Sequence, residues 1–393
     1  MSNLLNFEQA AEKQQSQSQE KQAGQVSEIK KKAVLKELTK PISIGKNPYK
    51  DTTVPPNLYD FLLPDGAFFG HFSDPYATLH FIDPKNGVRN GMYWLEEKLE
   101  TNSFTEREIK LLDFLSRRRL ATRKQIERVV LPQGISAESV KKFLRNMKNR
   151  GVICTFSWVS PLNDERKKPI VYGLTRAGAR AAEYLFHEPV RNEFIFYPTE
   201  FPRGKGPSMK SFFLDLIGNE LYSELVRIDR LISWKRKPLI KLENGEIHHP
   251  QAEFEVIKDQ NAIRKFWIET VRISDGWVSF VAKRFQDLKA AYDHVAEHNR
   301  PSRVIVIVDG DSRIQQLAPL AEEFLMDVPI IFTTDERLLQ GLSKETFIKL
   351  NAERDGMTFT SIPFLQEGYI GMSASDYLTE QQLTLDEMEL FME

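Results

Sequence analysis

Three helix-start signals follow one another in the middle of this 393-residue chain. Thr105 and Thr122 are each followed three residues later by Glu or Gln, which is the capping box that starts many helices. Ser136 is a third residue of the type preferred at helix N-caps. Apolar residues recur at helical spacing behind each signal, and Pro132 and Gly134 interrupt the chain between the second and third helices. The pattern predicts three short helices with a tight turn before the last one, which is a helix-turn-helix.

Two apolar segments, residues 152–159 and 170–174, follow the third helix and are joined by a polar loop. Their composition favours two strands. A strand pair in this position is typical of a wing. Three cations stand near its tip: Arg166, Lys167 and Lys168. Since cations on a flexible loop are suited to phosphate contacts, we predict a winged helix-turn-helix over residues 104–187.

The charge of this region differs from that of the whole chain. Residues 105–180 contain 18 Lys and Arg against 7 Asp and Glu, an excess of +11. The whole chain carries −1, so the remainder carries −12. A basic module in an acidic chain is typical of a protein that binds nucleic acid with one surface. The alternative is a winged helix that contacts another protein and keeps its cations solvated.

The exposed face of the third helix supplies the candidate DNA contacts. It combines cations that reach phosphates with polar residues that read base edges in the major groove. We expect Lys142 and Arg145 to contribute most. The complete predicted set is Ser139, Lys141, Lys142, Arg145, Lys148, Arg166, Lys167 and Lys168. The predicted partner is double-stranded DNA, and contacts to about six to eight phosphates would make the affinity fall steeply with salt.

The second half of the chain predicts an α/β domain over residues 188–368. A long amphipathic helix opens it over residues 209–228. Four strands are then predicted, with helical stretches between the later ones: residues 252–257, 266–271, 303–308 and 328–332. Strands that alternate with helices predict a mixed or parallel sheet.

Carboxylates on neighbouring strands of this domain suggest phosphodiester chemistry. A nuclease of the PD-(D/E)xK type holds Mg²⁺ with an Asp at one strand end, and with an acid and a second acid or Lys on the next strand. The candidates for catalysis, if the domain is a nuclease, are Glu253, Glu255, Glu269 and Lys283. No metal or other cofactor is expected otherwise. His248 and His249 are adjacent and are predicted to lie in a turn.

The order of these segments resembles the replication-relaxation proteins of plasmids and mobile elements in Gram-positive bacteria. There a winged helix precedes a nuclease-like α/β domain. The resemblance covers residues 104–340 and rests on YGLTRAG, Trp234, Pro-Gln-Ala at 250–252, FWIETVR, KRFQDLKAAY and RVIVIVDG. The family has Asp where this chain has Gln251, and a second Asp where it has Val271. The resemblance therefore implies a restriction-endonuclease-like fold with an incomplete acid set, retained for binding or assembly.

The fold class that follows is a multidomain α+β and α/β protein, and the favoured function is DNA binding. We expect an accessory role in replication or transfer, such as conjugation, of a plasmid-like element. One alternative is a metal-dependent endonuclease or nickase with a variant site. The other is a winged-helix transcriptional regulator whose α/β domain senses a ligand or forms a homodimer.

The remaining segments are predicted from their composition. Residues 1–45 are rich in Gln and Lys and predict a disordered arm, whereas residues 46–103 are dense in Pro, Gly and aromatic residues and predict irregular chain packed on a neighbouring domain. Residues 369–393 predict an acidic tail that docks replication or transfer proteins.

Two kinds of feature that the sequence lacks limit the class of protein to which it can belong. No stretch approaches the roughly 20 apolar residues of a membrane helix, so we expect a cytoplasmic protein without a membrane partner. The single cysteine, Cys154, excludes an internal disulfide and a thiolate zinc cluster.

Overall fold

The computed structural model describes residues 63, 72–83, 87–160, 168–242, 245–259, 262–274, 276–350 and 357–382. They form a mixed α/β protein with sheets of five, seven and two strands. The predicted arm over residues 1–45 and the tail beyond residue 382 lie outside the described residues. None of the helices in the described part combines the length and the apolar composition that a membrane crossing requires.

Five helices and five strands form the part of the chain that we call the five-stranded module. In chain order they are β1 Thr78–Ile82, α1 Gly87–Thr101, α2 Glu106–Arg118, β2 Leu120–Thr122, α3 Arg123–Val130, α4 Ala137–Asn149, β3 Ile153–Val159, β4 Val171–Leu174, α5 Arg176–Phe186 and β5 Thr199–Glu200. The strand order in its sheet is β2-β4-β3-β1-β5, and all of the pairs are antiparallel.

The three predicted helix starts are confirmed. Thr105 caps α2 and Thr122 caps α3, each in a complete capping box. The Ser136 side chain accepts a hydrogen bond from the backbone N–H of Ser139 at the start of α4. Because these caps satisfy backbone donors that a helix leaves unpaired, they fix where each helix begins.

The prediction of irregular chain over residues 46–103 is wrong for β1 and α1. Helix α1 buries Trp94 and Leu95 in the core of the five-stranded module. It comes so close to the turn after α4 that a Cβ atom on Gly91 would lie 2.6 Å from the carbonyl oxygen of Gly151. Glycine lowers the helix propensity of this segment by about 1 kcal/mol, which is why its sequence resembles a loop.

The rest of the chain forms the seven-stranded module, with the sheet order β14-β13-β12-β11-β10-β9-β6. Its elements are α6 Lys210–Arg227, β6 Leu231–Arg236, β7 Ile240–Lys241, β8 Ile247–His248, β9 Ala252–Asp259, β10 Ala262–Thr270, α7 Trp277–His294, β11 Arg303–Val308, α8 Asp311–Phe324, β12 Ile330–Thr334, α9 Asp335–Leu339, β13 Ile348–Leu350 and β14 Met357–Phe359. Strands β7 and β8 pair separately. The four predicted strands are confirmed, with shifted bounds for three of them.

The large sheet is mixed. Strands β10, β11 and β12 are parallel, whereas β6 and β9 on one side and β13 and β14 on the other pair antiparallel. Helices α7 and α8 pack on one face of the sheet, and α6 packs on the other. The apolar core around α6 also contains Leu120, Phe156 and Val171, so it extends into the five-stranded module.

Helix α6 also joins the modules through buried polar side chains. Asp215 forms ion pairs with Arg119 and with Arg236, both at 2.8 Å. Glu220 accepts hydrogen bonds from Arg128 and from Gln125 of α3. Because a buried carboxylate costs several kcal/mol unless it is paired, these contacts fix the five-stranded module against α6.

The start of the predicted acidic tail is attached to the seven-stranded module. The backbone N–H of Ala374 donates to the carbonyl oxygen of Asp229, and Arg230 donates to the carbonyl oxygens of Tyr369 and Met372. Residues 374–382 are helical. The first residues of the predicted tail are therefore anchored to this module, although residues 375, 376 and 378–382 are exposed.

Gly91→Ala tests the contact between α1 and the Gly151 turn. Helix propensity alone would stabilise this variant by about 1 kcal/mol. The close approach should instead lower the free energy of unfolding by about 1–3 kcal/mol, because an added methyl group must displace the turn. Urea unfolding measures the difference. The exposed helical residue Glu97, changed to Ala, is the control and should have little effect; a Gly91→Ala variant more stable than the wild type would contradict the packing of α1.

Cys154 offers a second test, since it lies in the core shared with α6. Burial raises the pKa of its thiol from 9.0 to about 12. Thiol reagents at pH 8 should therefore not label the native protein, and labelling should appear only with unfolding. The unfolded thiol ionises first as the pH rises, so the contribution of Cys154 to stability is complete below pH 9 and is lost towards pH 12. Rapid labelling of the native chain would contradict this burial.

Candidate nucleic-acid interface

Helix α4 has one buried face and one exposed face. Val140, Leu144 and Met147 are buried in the core of the five-stranded module. On the opposite side Lys142 and Arg145 are exposed, and neither forms an ion pair or a side-chain hydrogen bond with another described residue. Their charge is therefore not neutralised by any described part of the chain.

The other predicted residues of α4 are partly engaged. Ser139 takes part in the N-cap, with its hydroxyl 2.9 Å from that of Ser136. Lys141 lies 3.9 Å from Glu138, a weak contact between exposed groups. Lys148 forms a 2.9 Å ion pair with Asp83, which directly follows β1. We therefore expect a smaller contribution to anion binding from Lys148 than its position in the sequence predicts.

A groove of about 550 Å³ runs between α4 and the sheet of the five-stranded module. We call it the basic groove, because the described residues that line it include five cations and no carboxylate. The cations are Arg123, Lys141, Arg145, Lys148 and Lys168. Lys148 is paired with Asp83, so the other four cations are the main source of positive potential in the groove. Two further predicted residues of the wing, Arg166 and Lys167, lie outside the described residues.

Arg123 is a groove residue that the sequence did not single out. It is the first residue of α3, directly after the capping residue Thr122. It points to the same groove as Arg145 and Lys168, although 22 and 45 positions separate them in the sequence. The sequence signal that could have identified Arg123 is its position directly after the helix cap Thr122.

Several cations of this basic region face inward instead. Arg118 is buried, with its guanidinium 4.2 Å from the centre of the Tyr222 ring. Arg119 and Arg128 pair with the buried carboxylates of α6. The excess of positive charge is thus divided into an inner set that holds the modules together and an outer set around α4.

Of the predicted nuclease residues, Glu253 and Glu255 lie in β9, Glu269 lies in β10 and Lys283 lies in α7, and Glu269 is the most buried of the three carboxylates. Glu269 is 1% exposed and lies at the end of β10. One of its oxygens is 2.8 Å from Nε2 of His248, and the other accepts a 2.6 Å hydrogen bond from Nε of Arg284. Both oxygens of Glu269 are therefore engaged by protein side chains, one of them the cation Arg284.

The other three candidates do not converge on Glu269. Glu253 accepts hydrogen bonds from Trp267 and Lys235, and Glu255 accepts one from Ser233. Lys283 is exposed, and hydrogen bonds to Asp287 and Glu246 raise the pKa of its ammonium group. In the described part of the chain, no three His, Cys, Asp or Glu side chains are grouped so that they could hold a metal ion.

Two residues that contact Glu269 were not predicted to do so, His248 and Arg284. His248 was predicted in a turn, which is wrong, because it lies in β8 and is buried. Arg284 lies in α7 beside Lys283, and a helix places adjacent residues on different faces. The two neighbouring cations therefore have different roles, and it is Arg284 that reaches Glu269.

Comparison with known proteins gives no relative from which a function could be transferred. No family model matches the chain, no curated protein matches it, and no solved structure matches its fold.

Glu269→Gln tests whether this carboxylate serves structure rather than metal binding. Removing the charge leaves the partly exposed Arg284 without its carboxylate partner, so the free energy of unfolding should fall by about 1–3 kcal/mol. Urea unfolding with and without Mg²⁺ measures it. Lys283→Gln removes an exposed charge one residue away from Arg284, and is expected to leave the stability unchanged within error. A stabilising effect of Mg²⁺ that disappears in Glu269→Gln would instead identify a metal site.

Proposed function

We propose that this chain binds duplex DNA through the exposed face of α4 and the adjacent basic groove. The observation that carries the proposal is the groove itself, with five cations and no carboxylate among its described lining residues. DNA presents a regular line of phosphates, and a groove of one charge sign is complementary to it.

The order of elements supports the interpretation that the five-stranded module is a winged helix. Helix α2, strand β2, helices α3 and α4, and strands β3 and β4 follow one another, and the three strands are arranged as β2-β4-β3. In winged-helix proteins the helix in the place of α4 enters the major groove, and the two last strands form the wing. Strands β1 and β5 then extend the sheet beyond β3.

This docking mode gives the exposed cations distinct roles. Lys142 and Arg145 on the outer face of α4 would contact base edges or phosphates within the major groove. Arg123 and Lys168 at the far side of the basic groove would contact the phosphate backbone that borders it. The Lys148–Asp83 ion pair holds the α4 end of the groove in place.

The seven-stranded module supports a role in binding or assembly better than one in cutting. Apart from the short pair β7 and β8, the chain runs through α6, β6, β9, β10, α7 and β11, an order that supports the resemblance to a restriction-endonuclease-like core. Within that arrangement Glu269 is already held by His248 and Arg284, and Gln251 donates to the carbonyl oxygen of Leu214. We therefore propose an accessory protein of DNA replication or transfer in a plasmid-like element, a role that rests on the resemblance found in the sequence.

The test is a titration of a fluorescent 20-base-pair duplex at two salt concentrations, with Mg²⁺ present and the products separated on a denaturing gel. The wild type should bind in a salt-dependent manner and leave the DNA intact. The double variant Lys142→Ala/Arg145→Ala should bind at least about tenfold more weakly. If both residues contact phosphates, the slope of log affinity against log salt should also fall by about 2.

The matched control is Lys235→Ala/Lys289→Ala, which removes the same charge from the seven-stranded module. It should retain nearly full affinity. Equal losses in the two double variants would show that only net charge matters and would contradict the role of α4. Absence of binding by the wild type would refute the proposal, and Mg²⁺-dependent nicking would replace it with an endonuclease.

A further inference from the structure

A second cavity, of about 430 Å³, lies where the two modules meet. Residues of α3 and of the segment before β4 line one side, and residues of α6 and α9 line the other. We call it the interdomain cleft. Its volume falls in the range of small-molecule sites, which often form at boundaries between domains.

The walls of the interdomain cleft combine apolar surface with positive charge. Phe72, Ile170 and Leu339 supply apolar side chains, and Ile170 is 54% exposed. The cations are Arg123, Lys124 and Lys168. The one carboxylate among the described lining residues, Glu220, is already engaged by Arg128 and Gln125. Among the described lining residues, positive charge therefore exceeds negative charge, with Arg123 and Lys124 as cations of α3.

The apolar wall is held in place by buried polar contacts. The backbone N–H of Phe72 donates to Oδ2 of Asp335, and Oδ1 of Asp335 forms a 2.6 Å ion pair with Arg272. Asp335 begins α9, the helix that ends at Leu339. The Asp335 carboxylate thus fixes the backbone of Phe72 at the start of the helix that ends at Leu339, so both residues of this wall are positioned before any ligand arrives.

We propose that the interdomain cleft binds a small amphipathic anion, a molecule with one acidic group and an aromatic or aliphatic body. The acidic group would pair with Arg123, Lys124 or Lys168. The body would cover Ile170 and Leu339, which removes exposed apolar surface from water.

Such a ligand competes with DNA, because the interdomain cleft and the basic groove share Arg123, Lys168 and Ile170. A carboxylate or sulfonate paired with these cations takes them away from phosphates. By linkage, the factor by which the ligand weakens DNA binding equals the factor by which DNA weakens ligand binding. This second step rests on the proposed function, whereas ligand binding itself does not.

The experiment uses 8-anilinonaphthalene-1-sulfonate, an aromatic anion that fluoresces in apolar surroundings, as the probe for the full chain. The wild type should show one saturable site. Lys124→Gln changes an exposed residue that lines the cleft but not the basic groove, and should weaken probe binding several-fold. Leu339→Gln should do the same through the apolar wall. Arg145→Gln changes a residue of the basic groove that does not line the cleft and should leave probe affinity unchanged.

Duplex DNA is then added to the bound probe, and its binding to the same variants is measured. Displacement of the probe by DNA, with DNA affinity retained in Lys124→Gln, supports both steps. Absence of a saturable site, or equal probe affinity in the wild type, Lys124→Gln and Leu339→Gln, overturns the cleft as a binding site. Probe and DNA bound together without mutual weakening overturn the competition alone. A probe site that behaves as expected in a chain that does not bind DNA refutes the proposed function and leaves the cleft intact.

Discussion

The structure depends on the acidic side chains that α6 buries between the two modules. Asp215, Glu220 and Glu224 are each at most 4% exposed, and all three pair with cations. A buried carboxylate without a partner would cost several kcal/mol, so Arg119 and Arg128 of the five-stranded module are required at this interface. The apolar core continues around these pairs from one sheet to the other. The position of α4 relative to the large sheet follows from this docking.

The interface with α6 divides the cations of the five-stranded module into two groups, one paired with α6 and one exposed. Arg119 and Arg128 are neutralised against α6, whereas Lys142 and Arg145 point away from it. A count of charges along the sequence combines these two sets, although only the outer set is available to a polyanion. A chain of net charge −1 can therefore still offer a basic surface, because the field close to DNA is governed by the cations nearest the phosphates.

Local signals in the sequence predicted much of the fold but little of the site chemistry. The caps at Thr105, Thr122 and Ser136 predicted three helix starts, since capping depends on residues within one turn. Helix α1 was missed because Gly91 is required by a contact with Gly151, which is distant in sequence. The Glu269–His248 and Glu269–Arg284 contacts join three separate elements, and no spacing rule reveals them. The Lys148–Asp83 ion pair could not be predicted either, because its two residues lie in elements that are distant in sequence.

We propose that the exposed face of α4 is the surface that meets DNA. Hydrogen–deuterium exchange of the full chain, with and without a saturating 20-base-pair duplex, tests it most directly. DNA should slow exchange in residues 137–149 and in residues 168–174, with α7 and α8 unchanged. Protection of α7 and α8 without protection of α4, under conditions where the duplex is bound, would contradict it and would place the DNA on the seven-stranded module.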